Sequence, residues 1–207
     1  PFRPDPDSGV GVPVPVSLPY KFGFGVDESD PLREDLAEPI ELVRLMKDLG
    51  VRMVNVSLGS PYFNPHIGRP YERPSEGSYI SPEHPLVGVD RHFRITAAIQ
   101  EAFPDLVIVG TGYSWLQGFL LHAAESNLRR KRVTIVGIGR AALAYPEMIR
   151  DVLRAGTVDS KRVCITASFC TDLMRAKDPE KGQYPTGCVP RDKLYAALYK
   201  EYLHKRS

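Results

Sequence analysis

Two short stretches of the chain carry residue types that could hold an anion. Gly110-Thr111-Gly112 follows the run LVIV, and Gly137-Ile138-Gly139-Arg140 follows VTIV. Glycine lets the backbone approach a ligand closely and exposes amide N–H groups to it. An arginine can clamp a phosphate through two parallel hydrogen bonds. For either loop alone, the glycines could equally do no more than turn the chain. The recurrence of the pattern, once with Arg140 attached, favours the ligand. Neither loop reads G-x-G-x-x-G: Gly112 is followed by Tyr-Ser-Trp and Gly139 by Arg-Ala-Ala. A dinucleotide-binding Rossmann opening is therefore disfavoured. The chain also has no G-x-S-x-G elbow, H-E-x-x-H pair or Walker loop.

Other residues are weaker candidates. Cys164, Cys170 and Cys188 lie six and eighteen positions apart, without the close pair that metal sites usually show. The expectation is structural cysteines and no metal. The segment 60–88 is long for a β/α connection, which usually spans about two to six residues, and long loops on a rigid scaffold often carry function. It holds Tyr62, Asn64 and His66, candidates for the substrate side of a site. For His66 the competing reading is loop packing. Tyr113 and Trp115 either wall a flat ligand or belong to the core.

The elements that must position these residues alternate. Strands are expected near 12–18, 51–58, 106–110 and 133–137, each followed by a helical segment. The first is expected at an edge, because Pro13 and Pro15 interrupt it. Glu38-Pro39 opens a helix that stops at Gly50, Asp90 is expected to cap the next, and Tyr145-Pro146-Glu147 opens a third. From Lys161 the pattern turns irregular until a terminal helix from Lys193 to about His204. Parallel β/α units place the glycine loops at the C-terminal ends of consecutive strands, where such sheets bind ligands.

Composition is ordinary for a soluble protein, with 43% hydrophobic and 25% charged residues. A net charge of +2 argues against nucleic acid or an anionic membrane surface as the main partner. No apolar run approaches the length of a membrane span, and no secretory signal is visible. Three cysteines fit a reducing compartment, so a cytoplasmic location is expected. The chain opens at Pro1 without a methionine, so a processed or excerpted chain is also expected.

The segments PYKFGFGVDE, NVSLGSPYFNPH, VGTGYSW and VGIGRAALAYP, followed by CITASFCTDL and GCVPRDKLY, resemble the second half of the Old Yellow Enzyme family. These are FMN-dependent NADH:flavin oxidoreductases and ene reductases. The resemblance runs from about Val12 almost to the end. It implies an α/β fold, a (β/α)8 TIM barrel to which residues 1–160 supply roughly the last four β/α units. Residues 161–207 would form a cysteine-containing tail. It also implies that Gly110, Thr111, Gly112, Gly137, Gly139 and Arg140 hold the FMN phosphate. Relatives with an iron–sulfur cluster use four cysteines after the barrel, and here the position matching the second is Ala167. The family's substrate-anchoring pair and proton-donor tyrosine lie upstream of this chain, and its fifth-strand arginine is matched by Pro15.

The implied activity is reduction of an electron-poor alkene or other small-molecule acceptor by FMN, with NADH or NADPH as reductant, in a complete barrel. The missing N-terminal half, another chain or a second copy would complete it. The rival is a half-barrel subunit or fragment that holds flavin or phosphate without turnover. A third class, another phosphate-binding barrel enzyme such as an aldolase, is disfavoured by the lack of a strand-end lysine for a Schiff base.

Overall fold

The computed structural model describes residues 1–178 and 182–205. Its centre is a three-stranded parallel sheet in the order β3 (Met53–Asn55), β4 (Val107–Gly110) and β5 (Ile135–Val136), preceded by a separate hairpin of β1 (Phe2–Pro4) and β2 (Gly11–Pro13). The sheet register pairs Met53 with Val107 and Asn55 with Val109, then Val109 with Ile135 and Gly110 with Val136. β4 and β5 are runs of Val and Ile, whose branched side chains suit a pleated surface packed on helices, while β3 reads Met-Val-Asn.

The expected strand over 12–18 does not join this sheet. Val12 pairs with Arg3 in the antiparallel hairpin, and residues 14–18 lie outside any strand. Pro13, Pro15 and Pro19 have no N–H to give a ladder, and this leaves the run unsuited to pairing. Residues 1–11 supply β1 and the first residue of β2.

Helix α1 (Ala37–Asp48) and helix α3 (Pro85–Ala102) cover one face of the sheet. In α3, Val89, His92, Ile95, Thr96 and Ile99 are buried at helical spacing. Pro85 occupies the first turn, and the His84 side chain accepts from the Leu86 amide at 3.2 Å. Asp90 is thus not the cap: it sits in the second turn, where it pairs with Arg94 at 3.1 Å. The apolar layer joins Val43 of α1, Val56 and Ile108 of the sheet region, and Ile95, Ile99 and Phe103.

A second core gathers Tyr113, Leu120 and Ala124 with Ala141, Tyr145 and Met148. These come from a 3-10 segment (Tyr113–Phe119), α4 (Leu120–Arg129), α5 (Arg140–Ala144) and α6 (Met148–Ala155), with Tyr145 between the last two. The short α2 (Pro65–Gly68) lies in the long loop after β3.

The tail is more regular than its composition suggested. It contains α7 (Phe169–Arg175), a two-stranded hairpin of β6 (Lys177–Asp178) and β7 (Gly182–Gln183), and α8 (Lys193–His204). Asp172, buried in α7, ties the tail to the long loop by accepting from Arg73 Nη1 at 2.8 Å and from the Glu76 amide at 2.7 Å. Among the described residues no helix is long and apolar enough to cross a membrane.

Candidate functional site

The two glycine loops meet at the C-terminal ends of β4 and β5, but most of their glycines serve the fold. The Gly137 amide donates to the Gly110 carbonyl at 2.7 Å. A Cβ on Gly137 would stand 2.9 Å from that oxygen, and one on Gly110 would stand 2.9 Å from Val133 Cγ2. Gly112 has φ +96°, and a Cβ there would meet His92 Cβ at 2.8 Å. These positions need glycine for a close backbone approach or a left-handed turn. Gly139 differs, because nothing lies within 4 Å of its missing Cβ.

The Thr111 hydroxyl is also engaged. It lies 2.9 Å from the Val56 carbonyl and 3.0 Å from His92 Nδ1, while His92 Nε2 lies 3.0 Å from the Ile67 carbonyl. The threonine has one proton to give. A neutral ring that donates from Nε2 to Ile67 must accept at Nδ1, and then Thr111 cannot donate to Val56 as well. Burial holds the His92 pKa down at about 4, and the charges of Arg140 and Arg91 act in the same direction. His92 was not among the candidates; its only mark in the sequence is its place on the inner stripe of a helix.

Arg140 is the unusual group. Its Nη2 donates to the Pro70 carbonyl at 2.6 Å, whereas Nη1 is buried with no hydrogen-bond partner. Burial lowers its pKa to about 10, and the like charge of Arg69 pushes the same way. Negative charge on the nearby Cys164 or Cys170 would oppose this. Arg69 itself donates to Thr171 Oγ1 at 2.9 Å and Ser75 Oγ at 3.2 Å, both neutral groups. Two further buried hydroxyls, Thr166 Oγ1 and Ser168 Oγ, also lack partners. They belong to the tail segment beside Cys164 and Cys170, at residues with left-handed backbone.

Cys164 and Cys170 lie near enough to Cys188 to influence its thiol. Burial pushes the Cys188 thiol up to about 11, with Cys164 and Cys170 adding to the effect. All three are free thiols. Among the described residues no group of three or more His, Cys, Asp or Glu side chains is placed to hold a metal ion.

The substrate-side candidates separate. Tyr113 is core: it is buried, its hydroxyl accepts from Asn127 Nδ2 at 3.0 Å, and its ring lies 4.6 Å from Phe93. Trp115 donates from Nε1 to Glu72 at 2.8 Å. Tyr62 is 83% exposed. Asn64 turns inward to accept from the Ser60 amide, which closes the 60–64 turn. His66 is buried, with Nδ1 2.7 Å from the Tyr79 hydroxyl and its ring edge-on to Phe2 at 4.7 Å. Burial brings its pKa down to about 4.

Asn64 and His66 line a cavity of about 550 Å³ between β3, α1 and α3. None of Gly110, Thr111, Gly112, Gly137, Gly139 and Arg140 lines it. The strand-end anion candidates and the cavity are therefore two places, not one. Comparison of the chain with protein-family models, curated proteins and solved structures returned no match.

Proposed function

We propose that the chain binds the phosphate of FMN through Arg140 and the Gly139 backbone, and works as part of an NAD(P)H-dependent oxidoreductase built on a complete (β/α)8 barrel. The observation that carries this reading is the buried, unpartnered Nη1 of Arg140, the residue that opens α5 after β5. A buried donor without an acceptor is costly, more so when it is charged. A bound oxyanion would supply both the acceptor and the counter-charge. Gly139 fits the same ligand because it leaves open space for close approach. Gly110, Gly112, Gly137 and Thr111 hold the strand ends and so position Arg140 indirectly. Bound FMN would supply hydride transfer from NADH or NADPH to an electron-poor alkene or another small acceptor. The chain's own part is to anchor the phosphate.

A second reading is a half-barrel subunit that binds flavin or phosphate without turnover. The separation of His66 and Asn64 from Arg140 favours it, since no candidate acid or substrate anchor stands beside the anion candidates. One preparation tests both. The protein is loaded with FMN, passed through gel filtration and titrated anaerobically with NADH and NADPH. Retained flavin absorbance that either nucleotide bleaches is the expected result for the enzyme. Retained but unbleached flavin selects the binding subunit, and loss of all flavin sinks both.

A further inference from the structure

We infer that the cavity between β3, α1 and α3 is a binding site for a small, neutral, largely hydrocarbon molecule carrying one hydrogen-bond-accepting oxygen. This stands apart from the flavin reading, because the cavity shares no residue with the strand-end anion candidates.

Its volume of about 550 Å³ falls within the range of small-molecule pockets, roughly 300–1,000 Å³. The walls are apolar: Leu36, Val43, Val54, Val56, Ile95 and Ile99 contribute. Three charged side chains also line it, and they compensate one another. Arg91 donates to both Glu83 oxygens at 2.6 and 2.7 Å, and its Nε donates to Glu34 at 3.1 Å. Glu34 takes a further bond from Arg94 at 3.2 Å. Two carboxylates thus face two guanidiniums, and no unmatched charge remains to recruit an ion. An ionised ligand would be desolvated here without a partner, which is strongly unfavourable.

His66 sets the polar contact. The Tyr79 hydroxyl keeps its proton, since burial raises its pKa far above the ordinary tyrosine range. The His66 ring is neutral at pH 7 for the same reason. We assign the tyrosine proton to Nδ1, 2.7 Å away, which leaves the ring's own proton on Nε2. His66 thereby brings a neutral N–H donor to a mostly apolar wall whose other polar residues are Asn55, Ser57, Asn64 and the mutually paired Glu34, Glu83 and Arg91. A ketone or ester oxygen matches it; a plain alkane leaves it unmatched.

The test uses the full chain and Nile red, a neutral carbonyl-bearing dye, displaced in turn by 2-undecanone, undecane and decanoate. The ketone should displace the dye best, and decanoate should be weaker by about tenfold or more. Met46→Trp, which fills the cavity, should abolish dye binding. Leu153→Glu, on an exposed face away from the cavity, should leave it unchanged. His66→Phe should weaken the ketone about fivefold while leaving undecane alike. Absence of dye binding to the wild-type chain overturns the inference. So does decanoate or undecane competing as well as the ketone, a comparison that needs no variant. Folded Met46→Trp protein, checked by circular dichroism, that still binds the dye would also overturn it.

Discussion

Arg140 and the two buried histidines carry the sharpest consequences at the level of single residues. If Arg140 meets a phosphate, Arg140→Ala should weaken FMN at least about tenfold, because losing one partner of a buried charged pair typically costs about 2 kcal/mol or more. Riboflavin, which lacks the phosphate, should change far less. Arg140→Lys should recover only part of the loss, since lysine lacks the planar fork. Fluorescence-quenching titrations of both flavins decide the matter: equal small changes for the two ligands would remove the phosphate role. An alternative pairing of Arg140 with Glu147 or Asp151 is already answered by geometry. Both carboxylates bind Arg162, Asp151 at 3.2 Å, while Arg140 reaches the Pro70 carbonyl. His66 and His92 predict a pH dependence. Their folded pKa values, about 4, lie below the unfolded value of about 6.5. Between those values the unfolded chain binds more protons, so stability is complete above about pH 6.5 and falls as pH drops towards 4. Each histidine adds to that fall in stability. Urea denaturation at pH 7 and pH 5 should show the loss, and His92→Gln should flatten part of it. A midpoint independent of pH in this window would contradict the assignment.

Glycines at the strand ends separate positions that hold elements together from positions left open. Gly137→Ala drives a methyl group against the Gly110 carbonyl, and backbone cannot give way as a flexible side chain can. A cost of about 1–3 kcal/mol follows. Gly139→Ala meets empty space at a negative φ, so its effect on stability should stay within about 0.5 kcal/mol. If both variants melt alike, the division is wrong. Much of the element layout was legible in the sequence. The runs that formed β4 and β5 are β-branched, the one that formed β3 alternates Val with other residues, all three end near Gly59, Gly110 and Gly137, and α1 and α8 follow their expected bounds closely. The strand at 12–18 was misplaced because alternating valines signal a strand without naming its partner, and the prolines removed the donors that pairing needs. Tyr113 shows the same limit at one residue. An aromatic after a glycine turn can face a ligand or the core, and only the packing of Phe93 and Asn127 decides for the core. The cavity was not legible at all, since its walls come from segments spread between Phe2 and Ile99.

At the scale of the whole molecule, the sheet ends openly at β3 on one side and β5 on the other. The β3–β4 register shows which groups are left over. The Arg52 carbonyl accepts from the Val107 amide, and the Val56 amide donates to the Val109 carbonyl. In a parallel ladder this turns both backbone groups of Val54 towards β4, and those of Met53 and Asn55 away from it. An exposed edge of this kind is a template for pairing with another chain. Large apolar side chains are exposed as well: Phe22 at 90%, Leu49 at 77% and Leu153 at 82%. Together these features predict that the chain completes its surface by association, with a second copy or with a separate chain that supplies strands. Sedimentation velocity over a concentration series should show reversible self-association of the chain alone. Asn55→Pro is the decisive variant. Proline there removes an outward-facing donor, spares the ladder bonds of Val54 and blocks a new strand from pairing along the edge. Its expected effect is a shift towards monomer with thermal stability close to wild type. A wild-type chain that remains a cooperative monomer at every concentration would show that the open edge is tolerated and needs no partner.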